Sequence, residues 1–138
     1  RIFGKILVGD QKQGKLFELD MNSFDEDGDE QTRVVTTAII QANGKNVAQD
    51  ELTVEFESGV GTGSGRGQDP TCMLRWSDDG GQTWSNEITA SLGKIGHYGW
   101  KTTFHMLGSF DRRIYEISVS DPIKFVLMSL NSQENIGV

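Results

Sequence analysis

The sequence predicts an all-β fold of antiparallel strands, and three observations carry that reading. Glycine is frequent (17 residues), proline is scarce (2), and Thr, Val, Ile and aromatic residues are plentiful, a composition suited to strands and their turns. No long segment repeats its apolar residues with the helical period; they fall in short runs or in strict alternation. The third observation is a turn in the middle of the chain. Apolar residues stop at Trp76 and resume at Trp84, across Ser77-Asp78-Asp79-Gly80-Gly81-Gln82-Thr83, which is the punctuation of strand, tight loop and strand.

Taken in order, Ile2 to Val8 and Lys15 to Leu19 read as a hairpin joined by the polar run Gly9 to Gly14. Asp20 to Glu30 is acidic and turn-rich. Its carboxylates suggest Ca²⁺, but Gly28 falls at the wrong offset for an EF-hand loop and no helices flank it. The segment is read as a solvated linker extended by like charges. Thr32 to Ile40 is rich in β-formers, and Gln41 to Asp50 reads as a polar connection holding the turn pair Asn43-Gly44. In Glu51 to Glu57, Leu52, Val54 and Phe56 alternate with acidic or polar residues, so one face is core and the other is wet.

Ser58 to Asp69 has glycine at 59, 61, 63, 65 and 67. A phosphate-binding loop would open a helix, often with a Lys inside the motif; here Pro70 leads into the strand Cys72 to Trp76. The segment is therefore expected to be a flexible, exposed loop suited to partner contact, with Arg66 as its only cation. Asn86 to Leu92 reads as a strand or irregular edge, and Gly93 to Gly99 as a second loop with aromatic and basic members. Strands Trp100 to Leu107, Arg112 to Val119 and Ile123 to Leu130 are expected to form an antiparallel meander. Along the second, Arg113, Tyr115, Ile117 and Val119 share one face. Asn131 to Val138 is polar and expected to fray.

The central turn satisfies Ser-x-Asp-x-Gly-x-Thr-Trp with Ser77, Asp79, Gly81, Thr83 and Trp84, and so resembles the Asp-box, a hairpin motif of sialidases and other β-rich proteins. The residue types explain themselves. Ser and Asp side chains bond nearby backbone groups, Gly80 and Gly81 permit positive φ, and the aromatic packs across the loop. A glycosidase would need two carboxylates held apart around a sugar, and neighbours such as Asp78 and Asp79 suit turn closure better. The role expected of the turn is structural.

No catalytic constellation is read from the remaining residues. His97 and His105 fall on different expected elements, and Cys72, the single cysteine, sits at a strand start, where a small buried hydrophobe is expected. One cysteine builds neither a disulfide framework nor a four-cysteine metal cage. Glu55 and Glu57 on a wet face make no ordered acid pair. No catalytic residue, cofactor or metal is therefore assigned. Trp76, Trp84 and Trp100, with Tyr98, would make a sugar-binding platform if they shared a surface; core packing and loop sealing are the default.

The 138 residues amount to about one domain, and the formal charge of -7 disfavours an electrostatic grip on DNA or an anionic membrane. No apolar run approaches the ~20 residues that span a bilayer, and the start lacks the layout of a secretory signal. Solubility without membrane association is expected. The chain begins with Arg1, which leads to the expectation of a processed or excised piece of a longer protein.

Leu52 to Ile123 resembles the C-terminal region of tail proteins of short-tailed bacteriophages, the packaged-DNA stabilisation or tail-hub family. The resemblance rests on an ordered series of blocks. These are Glu57-Ser58-Gly59-Val60-Gly61, Gly67-Gln68-Asp69-Pro70, Met73 to Glu87, Ser91-Leu92-Gly93-Lys94-Ile95-Gly96, Leu107-Gly108 and Glu116 to Pro122. It implies a β-sandwich-like domain over 31–138. Val8-Gly9-Asp10 and Gly14 to Asp20 look like the closing strands of a propeller blade, which would set 1–30 apart with the acidic linker. It further implies a non-enzymatic virion component, made in the bacterial host cytoplasm, that forms a homo-oligomeric ring below the portal. Such a ring would retain packaged DNA, join other tail or portal-adaptor proteins and let DNA pass without specific binding. Subunit contacts are expected from the two glycine-rich loops, through Arg66, Gln68, Lys94, His97 and Tyr98. Where the family tends to be rich in Arg, this chain has Gly99 to Met106 with Lys101 alone, so no basic contact is carried over there. The alternative is a carbohydrate-binding or sialidase-like Asp-box module; a hydrolase fragment with its catalytic residues elsewhere is a third reading.

Overall fold

The computed structural model describes residues 4–20, 22–26, 28–57 and 61–136. The expected strand start at Ile2 and loop residues Ser58, Gly59 and Val60 lie outside them. Two sheets form a sandwich. Sheet one runs β3 (Arg33–Thr36), β10 (Arg112–Val119), β6 (Thr71–Ser77), β7 (Ile88–Ser91), with β4 (Ile40–Gln41) also pairing β10. Sheet two runs β11 (Leu127–Ile136), β5 (Val47–Phe56), β8 (Lys101–His105), with β9 (Ser109–Phe110) also pairing β5. Every pairing is antiparallel. Strands β1 (Leu7–Gly9) and β2 (Leu16–Glu18) form a separate two-stranded sheet. Among the described residues no helix is long and apolar enough to cross a membrane.

The core lies between the sheets because each inner strand alternates. Leu52, Val54 and Phe56 of β5 face Cys72 and Leu74 of β6 and Tyr115, Ile117 and Val119 of β10, with Phe104, Leu92, Leu107 and Ile123 closing the cluster. Each fully buried aliphatic side chain here contributes about 1.5–3 kcal/mol relative to exposure. Burial pushes the Cys72 thiol up to about 12, leaving it inert at neutral pH. The wet face of sheet two is a ladder of cross-strand pairs. Glu55 joins Lys101 at 2.8 Å, Thr53 joins Thr103 at 3.3 Å, and Glu51 approaches His105 at 3.7 Å. Glu55 and Glu57 are thus engaged by lysines, Glu57 by Lys124 at 2.8 Å.

Four expectations are corrected. The strands do not form a meander: β10 lies between β3 and β6, and β5 between β11 and β8, because each sheet must draw strands from both halves of the chain to close over one core. Val47 to Asp50 is strand rather than connection; buried Gln49 disguises the alternation. The chain reaches this strand through Asn43-Gly44, where φ is +50° and +75° and Lys45 N–H donates to the Ala42 carbonyl at 2.9 Å, so the turn carries it from sheet one to sheet two. Asn131 to Ile136 does not fray but pairs with β5 from Thr53 back to Val47; backbone bonds hold it, and these need no apolar side chains. The second hairpin strand starts at Ile88, opposite Leu74, rather than at Trp84.

Candidate functional site

The turn after β6 is closed almost entirely by its own side chains. The Ser77 hydroxyl donates to Asp79 Oδ1 at 2.7 Å and accepts from Gly81 N–H at 2.8 Å. Asp79 Oδ1 also accepts the N–H groups of Gln82 and Thr83, each at 2.9 Å, and its Oδ2 accepts the Thr83 hydroxyl. Gly80 and Gly81 take φ of +77° and +94°, which a Cβ would oppose. A Cβ on Gly81 would lie 3.8 Å from the Trp84 ring, and Arg75, paired with Glu116 at 2.7 Å, lies over the same indole at 4.7 Å. Ser85 closes the base, donating its N–H to the Trp76 carbonyl at 2.9 Å.

Donation from the Thr83 hydroxyl, then the Thr83 N–H and the Ser77 hydroxyl, holds the Asp79 carboxyl well below the usual carboxylate range. A carboxylate with a depressed folded pKa contributes stability above its unfolded pKa and loses it as pH falls through the folded value. The melting-temperature gap between the wild type and Asp79→Ala is therefore expected to stay constant near neutrality and to narrow below about pH 4. Thermal melts along a pH series check this; a gap that widens in acid would contradict it.

Asp78 does something else. It receives a two-pronged ion pair from Arg113, Nε to Oδ1 at 2.7 Å and Nη2 to Oδ2 at 3.0 Å. Arg113 is only 3% exposed, held among the rings of Phe110, Trp76 and Tyr115 at 4.3, 4.9 and 5.7 Å. Its Nη1 donates to the Leu107 carbonyl at 2.5 Å and to the Tyr115 hydroxyl at 3.2 Å. The Tyr115 hydroxyl in turn donates to Gln49 Oε1 at 2.7 Å. Burial pushes the Arg113 pKa down, but bonds to Asp78 and Tyr115 outweigh it and leave it raised. One polar chain thus runs from the turn through sheet one to β5 of sheet two. Gln49 Nε2 is its one buried nitrogen without a partner. Tyr115→Phe would orphan Gln49 Oε1 as well, and is expected to cost about 2 kcal/mol in chemical denaturation.

Arg113, Gln49 and Tyr115 are what the sequence reading missed. The signal was present: Arg113 shares its strand face with Tyr115, Ile117 and Val119, so a core-facing arginine requires an acidic partner, and the turn supplies one.

The two glycine-rich loops meet at the opposite end of the sandwich. A Cβ on Gly61 would lie 2.9 Å from the Gly67 carbonyl oxygen and 3.0 Å from Ile95 N, so glycine is required for the backbones to approach. Lys94 pairs with Asp69 at 3.1 Å. The expectation of an exposed first loop is corrected in part: Gly61 and Gly67 are buried, drawn in by the Thr62 N–H to Gly67 carbonyl bond of 2.7 Å. Arg66, Gln68, Lys94, His97 and Tyr98 stay exposed. Arg66 Nη2 reaches the Ser120 carbonyl at 3.4 Å. Tyr98 lies on the side facing β5, lining a groove with Trp100 and Met128.

The tryptophans do not share one surface. Trp76 and Trp84 belong to the turn end, while Trp100 donates Nε1–H to the Ser91 carbonyl at 3.0 Å, about 15 Å away along β6 and β7. They separate because strand pairing places Ser91 opposite Thr71, at the far end of β6 from Trp76. Among the described residues no cluster of three or more His, Cys, Asp or Glu could hold a metal ion.

Two antiparallel sheets over one core, with a self-closed turn bolted to that core by a buried arginine, define a β-sandwich module. Residues 32–133, from just before β3 into β11, match the family model described as Bacteriophage P22 Gp10, beta-sandwich. The chain belongs to that family, a tail-hub family of short-tailed phages, and is a structural protein of the phage tail. No curated protein matches it.

Proposed function

We propose that the chain is the C-terminal part of a tail-hub subunit whose copies form a ring below the portal, retain packaged DNA and join adjacent tail proteins. The observation that supports this best is the meeting of the two loops, which offers one continuous contact surface at one end of the sandwich. Arg66, Gln68, Lys94 and His97 face outward there and make the subunit contacts. Tyr98 turns toward the groove instead and is left out of that set.

The turn of Ser77, Asp79, Gly81, Thr83 and Trp84 has a structural role: with Asp78 and Arg113 it stiffens the other end of the module. The domain starts near residue 31. Residues 1–30 close a preceding propeller blade, a reading supported by the exposed Leu7, Val8, Leu16 and Leu19 of the β1–β2 hairpin, since a lone two-stranded sheet with uncovered apolar residues is marginal in water. DNA passes the ring without specific binding, consistent with the charge of -7. Synthesis in the host cytoplasm precedes incorporation into the virion. No enzymatic step is assigned.

The reading is tested by placing negative charge on the contact surface. Arg66→Glu with Gln68→Glu in the full-length parent is expected to convert rings to lower-mass species in native mass spectrometry with an unchanged melting temperature. Rings that survive the double variant would remove these loops from the interface.

A further inference from the structure

Between the second loop and the wet face of sheet two lies a groove of about 360 Å³, lined by Glu55, Glu57, Tyr98, Trp100, Lys101 and Met128 among others. Its size is within the range that holds a small ligand. Tyr98 is 82% exposed, Met128 69% and Trp100 42%, which is a large outlay of apolar surface at one place on an acidic, polar chain.

Trp100 is fixed rather than mobile. Its indole N–H is bonded to the Ser91 carbonyl at 3.0 Å, and its ring rests on Gly93, where an added Cβ would lie 2.8 Å from Cγ. His97 stands beside it at 6.0 Å between ring centroids. A ring held this way offers a flat apolar face with little entropy left to lose on binding.

The polar rim consists of matched donors and acceptors. Lys101 Nζ is 2.8 Å from Glu55 Oε1, and Lys124 Nζ is 2.8 Å from Glu57 Oε2. Two cations and two carboxylates cancel, so the rim attracts neither anions nor cations strongly. It nonetheless presents ammonium donors beside carboxylate acceptors, the pairing that a sugar's vicinal hydroxyls satisfy, since each hydroxyl both donates and accepts. Bonds from Lys101 and Ser129 keep Glu55 below its ordinary value, so its acceptor oxygens persist into mild acid.

We propose that this groove binds a neutral oligosaccharide, one sugar ring stacking on Trp100 and Tyr98 and its hydroxyls bonding the Glu55–Lys101 and Glu57–Lys124 pairs. The site adjoins the ring-contact surface at His97 but rests on other side chains, and it does not depend on that reading. It is also distinct from the three-tryptophan platform that the fold separates.

Neutral trisaccharides of glucose, mannose, galactose and N-acetylglucosamine are titrated into the chain, with saturation-transfer NMR and tryptophan fluorescence as readouts. At least one is expected to bind saturably. Tyr98→Ala, at so exposed a position, is expected to keep the wild-type melting temperature while weakening that binding about tenfold or more. Trp84→Phe, at the other end, should leave it unchanged. Absence of saturable binding to all four sugars, or equal binding by Tyr98→Ala, would overturn the proposal. A lysine-rich peptide that binds the groove when no sugar does would overturn it too, assigning the groove to a basic protein segment. Ring assembly of the parent carrying Tyr98→Ala is expected to be intact, which separates failure here from failure of the tail-hub reading.

Discussion

Asp78→Ala is expected to destabilise the sandwich by about 3 kcal/mol, although Asp78 itself is a half-exposed loop residue. The cost falls on its partner. Arg113 is 3% exposed and would lose both of its carboxylate bonds, at 2.7 and 3.0 Å. It cannot escape by deprotonating, because a guanidinium stays charged in a protein. The Leu107 carbonyl and Tyr115 hydroxyl remain as partners, which keeps the loss near the lower end of what breaking a buried pair costs. Asp78→Asn retains one acceptor and should lose less. The double variant Asp78→Ala with Arg113→Met should recover much of the loss, because an apolar side chain of similar length removes the stranded charge. Urea denaturation of the three variants checks the series. A loss for Asp78→Ala of the ordinary surface size, under about 0.5 kcal/mol, would contradict the network.

Gly93→Ala is expected to cost about 2–4 kcal/mol, from two sources that add at one atom. Gly93 has φ of +81°, where a side chain is strained, and its Cβ would fall 2.8 to 3.1 Å from three atoms of Trp100. The ring cannot yield freely, since the Ser91 carbonyl accepts its N–H and, at 2.8 Å, the Thr102 hydroxyl as well. The variant should therefore combine a lower urea midpoint with altered Trp100 fluorescence. Gly96→Ala serves as the control: φ there is +80°, but nothing lies within 4 Å of its Cβ, so strain acts without collision and the loss should be about 1–2 kcal/mol. Equal losses at the two positions would show that the Trp100 contact carries no weight.

What the sequence made legible was whatever hydropathy and turn chemistry encode locally. The inward set Leu52, Val54 and Phe56 could be read directly because polar residues interrupt it at every second position, and the end of β6 because turn residues follow Trp76 at once. Strand ends set by pairing were not legible. Trp84 looks like the start of a strand, yet the turn and its Ser85 closure use up the residues before Ile88, where the register with β6 begins. Polar strands were hidden for a related reason: Val47 to Asp50 carries buried Gln49, and Asn131 to Ile136 earns its place through backbone bonds to β5.

The site was legible only in part. The bonds that Ser77 and Asp79 make within the turn are local, and residue types suffice to anticipate such bonds. Arg113 and Asp78 are 35 residues apart, and no short-range pattern joins them. Only the face shared with Tyr115, Ile117 and Val119 marks Arg113 as a residue in need of a partner. The meeting of the two glycine-rich loops is likewise a product of topology, since β6 and β7 must pair before Gly61 can lie against Lys94 and Ile95.

We propose that this sandwich belongs to a ring-forming tail-hub subunit. The most direct test is the solution mass of the full-length parent, by light scattering with native mass spectrometry at several concentrations. A discrete ring-sized species is expected, whether or not the present chain alone is monomeric. A parent that stays monomeric at high concentration would contradict it.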